Sequence, residues 1–142
     1  MNDKVIINNL DTLKHIHKVR ELLYKIILEL DNRARNHDNS KLKSPEQEIF
    51  GQYAGELEKV EYGSKEYQGL LDKTEAARTH HYSKNDHHPE HYSNGIEGMD
   101  ILEILEMLID WKSSTLRNLR GDIRKSMEIN VTSHQKLLTL CL

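Results

Sequence analysis

A single cysteine, two prolines, one tryptophan and one phenylalanine occur in this chain of 142 residues, and each scarcity removes a class of explanation. With Cys141 alone there is no internal disulfide framework and no thiolate zinc cluster, which fits a reducing compartment. Any metal must then be held by imidazole and carboxylate. No sign of charge dominates either: Lys and Arg total 20 against 23 Asp and Glu, a formal charge of -3. General nucleic-acid binding and attraction to anionic lipid are therefore not expected, and phosphate binding must be local. Long hydrophobic runs are missing. No window approaches the roughly 20 apolar residues that span a bilayer. The opening "MNDKVIINNLD" has no charged leader followed by an apolar run, so a cytoplasmic location without membrane contact is the expectation. Also absent are the GxxxxGK and GxGxxG loops, the HExxH helix and the GxSxG elbow, which argues against P-loop and Rossmann nucleotide binding, common zinc proteases and serine hydrolases.

The few prolines and glycines divide the chain into helical stretches with almost no strand-like alternation. One all-α domain over residues 1–142, a compact bundle of about five helices with one site, is predicted. Leu10, Leu13, Ile16, Val19, Leu22, Leu23, Ile26, Ile27 and Leu30 recur at three- and four-residue steps, predicting a helix from about Asp11 to Arg35. Ser44-Pro45 followed by Glu46 and Glu48 reads as the cap, first residue and acidic first turn of a second helix ending near Tyr62-Gly63. Further helices are expected over about Lys65–Tyr82, Gly98–Asn118 and from Gly121 onward. The last ends in "KLLTLCL", a tail suited to packing on its own core or on a second copy in a homodimer.

The stretch "GMDILEILEMLIDWKSSTL" is apolar around most of its circumference, the pattern of a central, buried helix. Its remaining stripe carries Glu103, Glu106 and Asp110, and buried carboxylates need a positive partner. A Lys, an Arg, a protonated His or a metal ion would serve, unless the stripe is a solvated edge.

Histidine is abundant and unevenly placed. Five of the thirteen residues in "HHYSKNDHHPEHY" are His80, His81, His87, His88 and His91, and "RARNHDNSKL" holds His37-Asp38 with Lys41 three residues after the aspartate. Such a segment reads either as a solvated loop or as part of a site, and the dipeptide as a helix-ending cap or a ligand pair. His15, His37, Asp38 and Asp110 together supply two imidazoles and two carboxylates, a set suited to Zn, Mn, Fe, Co or Mg with positions left for water and substrate.

The order His, then His-Asp with a Lys three residues on, then further His, then a distant helical Asp resembles the HD-domain metal-dependent phosphohydrolases, all-α enzymes that cleave phosphate esters of nucleotides and related compounds. The blocks "TLKHIHKVRELL", "RARNHDNSKLKSPE", "HHYSKNDHHPEHY" and "MDILEILEMLIDWKSS" more closely resemble small phage and bacterial proteins of domain of unknown function 5662. The HD resemblance implies His15, His37, Asp38 and Asp110 as metal ligands, with His17 the rival of His15. It also implies Asp38 close to the attacking water and Lys41 near substrate phosphate. Asn39 and Ser40 stand where that pattern has an apolar residue and a glycine. Two metals are an option in HD enzymes with extra histidines. His81 and His88 are then the preferred further ligands or catalytic groups, with Arg78, His80, His87 and His91 facing the phosphorylated substrate. The expected activity is metal-dependent hydrolysis of a nucleotide or similar phosphate ester. The alternatives are a magnesium-dependent nucleotide pyrophosphohydrolase built on Glu103, Glu106 and Asp110, and a non-catalytic protein that binds a nucleotide or a host protein.

Overall fold

A computed structural model describes residues 3–56, 59–60 and 64–117. Among these the chain is all-α, with five α-helices and no strand. It divides after Asn36 into two units.

The first unit is one helix, α1, Asp3–Asn36. It begins eight residues before Asp11, because nothing in "DKVIINNL" breaks a helix and Asp3 supplies an acidic first turn. Arg33 and Arg35 complement the other end. Pairs one turn apart, including Lys14–Asp11 at 3.1 Å and Arg35–Asp31 at 2.8 Å, line its surface, each contributing a few tenths of a kcal/mol.

The second unit opens with a turn at His37-Asp38. Asp38 adopts the left-handed conformation at φ 58°, and a 3₁₀ turn follows at Asn39–Leu42. Helix α2, Glu46–Gln52, comes next. It is much shorter than the helix expected to reach Tyr62-Gly63: Tyr53–Glu56 form turns, and Gly55 sits at φ 74°, which a continuing helix cannot include. The stretch expected to be one helix from Lys65 is two, α3 (Lys65–Lys73) and α4 (Glu75–Lys84). They part at Thr74, whose hydroxyl donates back to the carbonyls of Leu70 and Leu71 at 3.0 and 3.2 Å, the local competition with the helix that threonine brings. Helix α4 is the hub. It packs on α2, α3, the 39–42 turn and a 3₁₀ turn at Pro89–His91, which leads through a second one at Gly95–Gly98 into α5, Ile101–Arg117.

Asp100 caps α5 by accepting from the Glu103 amide at 2.9 Å, while Glu103 accepts from the Asp100 amide at 2.7 Å. This reciprocal box accounts for one acid of the stripe. Burial of α5 on all sides is not found: Met107 is buried, but Ile101, Ile109 and Leu116 are exposed. The helix expected from Gly121 and the "KLLTLCL" tail lie outside the described residues.

The buried set is unusually polar. Ala77, Met99 and Met107 are the buried hydrophobics among the described residues, against Glu46, Thr74, His81, Asn85, His87 and Glu103. Buried polar groups demand partners, and the partners of Glu46, His81, Asn85 and His87 converge on one place.

Candidate metal centre

The tight turn after α1 aims Asp38 inward. Its backbone carbonyl accepts from the Lys41 amide at 2.9 Å, and its Oδ2 lies 2.6 Å from Lys41 Nζ. The other oxygen, Oδ1, faces imidazole: His81 Nε2 at 3.2 Å and His87 Nε2 at 3.6 Å. Both Asp38 Oδ1 and His87 Nε2 are buried without an aligned hydrogen-bond partner.

The histidines come from the end of α4 and the turn beyond it. Asn85 closes α4 by donating its amide to the His81 carbonyl at 3.0 Å, and Pro89 starts the next turn, so His87 and His88 are folded back over the last turn of the helix. His81 Nε2 and His88 Nε2 stand 2.9 Å apart. The ring centroids of His87 and His88 stand 4.2 Å apart, tilted by 42°, and those of His37 and His87 4.5 Å apart, tilted by 37°. One ligand atom from each of Asp38, His81, His87 and His88 falls within 4.8 Å of all the others. Atoms bound at about 2.0–2.2 Å around one divalent ion lie roughly 3–4.4 Å apart, so this set needs little contraction to close on a cation. A neighbouring set, His37, His87 and Asp110, meets the same criterion, as do Asp86, His87 and Glu106. His37 Nε2 lies 3.6 Å from both Asp38 Oδ2 and Asp110 Oδ1.

Two carboxylates stand behind these rings. Glu46, fully buried, lies against His80 Nδ1 at 2.7 Å through Oε1 and against His81 Nδ1 at 2.9 Å through Oε2. Ser40 donates its hydroxyl to Oε2 at 3.0 Å, and Asn85 Nδ2 donates to Ser40 Oγ at 2.8 Å. Glu106 Oε1 lies 2.8 Å from His37 Nδ1 and 3.3 Å from His87 Nδ1.

Charge follows this geometry. Burial pushes the Asp38 carboxyl up, but the adjacent His81 and Lys41 outweigh it and hold the group well below the usual carboxylate range. Glu46 is likewise held down, the contacts from His80, Ser40 and His81 overcoming its burial. The imidazoles move the other way from protonation. Burial pushes His87 down despite Glu106, and burial with the neighbouring His87 and His81 takes His88 down to about 3. At neutral pH these two rings are uncharged and offer lone pairs, while the carboxylates are ionised. Ionised carboxylates beside uncharged rings are a donor set that could hold a divalent cation.

Of the residues predicted from sequence, His37, Asp38, His81, His87, His88 and Asp110 are brought together, with Lys41 beside Asp38. His15 and His17 lie exposed on α1 in the first unit; the cluster draws on the second unit alone. His80 is turned onto Glu46. His91 is exposed, its Nδ1 2.8 Å from the Tyr82 carbonyl, which makes it a clasp between α4 and the following turn. Arg78 donates to the Leu71 carbonyl at 3.1 Å, bracing the α3–α4 junction, and its Nε is buried without a partner. Glu46, Ser40 and Asn85 were not foreseen. Glu46 has an ordinary explanation as an acid in a first helical turn, and only the gathered histidines across the unit reveal its other use.

No curated protein and no solved structure matches this chain. A family model does, along residues 5–138, which take in every residue of the cluster; the chain belongs to the family of unknown function DUF5662.

Proposed function

We propose that the chain is a divalent-metal-dependent phosphohydrolase that cleaves a phosphate ester of a nucleotide or a similar small phosphorylated metabolite. One observation carries the reading: Asp38 Oδ1 and the imidazoles of His81, His87 and His88 converge, with two of the converging atoms, Asp38 Oδ1 and His87 Nε2, buried and without an aligned hydrogen bond. Orphaned buried polar atoms cost about 1–3 kcal/mol each, and a bound cation removes that cost. Asp38, His81, His87 and His88 would hold the ion, with His37 and Asp110 on the adjoining side able to take a second one. A divalent ion supplies Lewis acidity, polarising a phosphoryl oxygen and making water nucleophilic near neutral pH. Mn, Co, Mg, Zn and Fe all remain candidates for a nitrogen and oxygen site of this kind.

The protein's own groups contribute position and charge. Asp38, ionised and braced by Lys41, can orient a water molecule. Lys41 is part-exposed and could swing from Asp38 to a substrate phosphate. The adjacency of His37, Asp38 and Asp110 favours the HD-type pattern over an all-carboxylate magnesium site, because Glu103 is engaged in capping α5.

The test is elemental analysis of the purified protein, followed by a screen of nucleotides and phosphorylated metabolites with each metal added. Stoichiometric metal and release of orthophosphate are expected, with Asp38→Asn losing at least 100-fold in turnover while the helical circular dichroism is retained. Metal uptake without turnover of any phosphate ester would leave a binding protein. No metal uptake at all would remove the centre itself.

A further inference from the structure

We infer that Glu46 is a positioning residue: it holds a proton on His81 Nδ1 and so orients the ring with Nε2 as the atom offered to the cluster. The inference rests on the metal-centre reading above for its purpose, but on geometry for its content.

The argument is one of donors and acceptors. Glu46 is fully buried, and each of its oxygens lies at hydrogen-bond distance from an imidazole Nδ1: His80 on Oε1 at 2.7 Å and His81 on Oε2 at 2.9 Å. An ionised carboxylate has lone pairs only. A deprotonated Nδ1 would set lone pair against lone pair beside a carboxylate that burial shields from bulk solvent, so both Nδ1 atoms carry protons and donate them to Glu46. Ser40 Oγ at 3.1 Å and Asn85 Nδ2 at 3.0 Å also lie beside His81 Nδ1, but their protons are taken by Glu46, by Ser40 and by the His81 carbonyl. Ser40 adds a third donor on Oε2 at 3.0 Å. Asn85 fixes Ser40 in turn, giving one amide proton to its hydroxyl at 2.8 Å and one to the His81 carbonyl at 2.7 Å.

With Nδ1 committed to Glu46, Nε2 is the atom His81 can offer a cation. That nitrogen lies 2.9 Å from His88 Nε2 and 3.2 Å from Asp38 Oδ1, so the three atoms a cation would draw together already face one another. Backing carboxylates of this kind orient a ligating ring and raise its basicity, and their loss costs roughly 10–100-fold in metal affinity.

Substitution separates the two oxygens. Glu46→Gln can place its carbonyl oxygen between Ser40 and His81 and its amide toward His80. His81 then keeps its pattern, while His80, now facing a donor, must accept at Nδ1 and carry its proton on Nε2. Glu46→Leu removes both acceptors.

The experiment is two-bond nitrogen–proton correlation NMR of the histidine rings in metal-free protein at neutral pH, with calorimetric titration of Mn²⁺ and Zn²⁺ into wild type, Glu46→Gln and Glu46→Leu. The expected result is Nδ1–H at both His80 and His81 in wild type, an Nε2–H switch at His80 alone in Glu46→Gln, metal affinity 10–100-fold weaker in Glu46→Leu, and recovery of most of that loss in Glu46→Gln. His81 found with a bare Nδ1 overturns the inference, as does wild-type affinity in Glu46→Leu. If Glu46→Leu does not fold, the ring spectra of wild type and Glu46→Gln still decide. If wild type binds no metal, the centre fails as a function while the His81 spectrum separately tests the part played by Glu46.

Discussion

Asp38 is asked to do two things that oppose each other in stability. Its left-handed backbone at φ 58° costs an ordinary side chain about 1–2 kcal/mol, less for Asp and nothing for Gly, while its part-buried carboxylate turns a buried oxygen, Oδ1, toward His81 and His87. Strain of this kind persists where a side chain must be aimed, and here it aims Oδ1 at His81 and His87. Asp38→Gly and Asp38→Ala both delete the carboxylate and differ only in backbone tolerance. Urea denaturation of the metal-free variants should find Asp38→Gly more stable than Asp38→Ala by about 1–2 kcal/mol; equal stabilities would mean the turn relaxes when the side chain is gone. At this scale the sequence was informative about residue type. His37-Asp38 and Asp110 were legible because they pair metal-ligating chemistry with a helix end and an apolar helix. Glu46 was not, since its significance depends on two rings from α4, 34 and 35 residues away in the chain.

The elements show the same division. Helix α1 was readable from its apolar period because a long regular helix repeats its signal many times. The α3–α4 break was not, because one threonine's hydroxyl decides it and threonine is common inside helices. The loop between α4 and α5 is tied down from both ends: His91 clasps α4, and Tyr92 meets the start of α5. Burial and the Glu103 carboxylate beside it push the Tyr92 hydroxyl up to about 12. The folded state therefore holds this proton more tightly than the unfolded chain, where tyrosine titrates near 10. Stability from this group is complete below about pH 10 and is lost as pH rises from 10 toward 12. Tyr92→Phe should flatten that stretch of a stability-versus-pH curve measured by chemical denaturation, and an unchanged slope would place the alkaline sensitivity elsewhere. Gly98 needs its bare Cα in this loop, because a Cβ there would stand 2.8 Å from Tyr92 Cβ.

For the whole molecule, the polar interior of the second unit makes stability conditional. Burial of Ala77, Met99 and Met107 is a small apolar complement to six buried polar residues, and two of those, His81 and His87, turn a nitrogen toward the proposed cation. A ligand that binds only the folded state adds about 2.7 kcal/mol at 100 times its dissociation constant. Thermal unfolding of the metal-stripped protein should therefore shift upward when Mn²⁺ or Zn²⁺ is added and return when a chelator removes it, with Asp38→Asn showing no shift; a wild-type transition indifferent to metal would separate the cluster from the fold. The all-α class was visible in the chain's pattern, but the heavy share of polar side chains inside was not, because mean composition does not reveal which histidines and glutamates turn inward. That inward turn has a consequence beyond chemistry. With the proposed ion completing this interior, the metal-free chain would be the better substrate for cellular proteases, which sample opened molecules in proportion to their population. The amount of this protein in a cell would then follow the local supply of its metal, even with synthesis held constant.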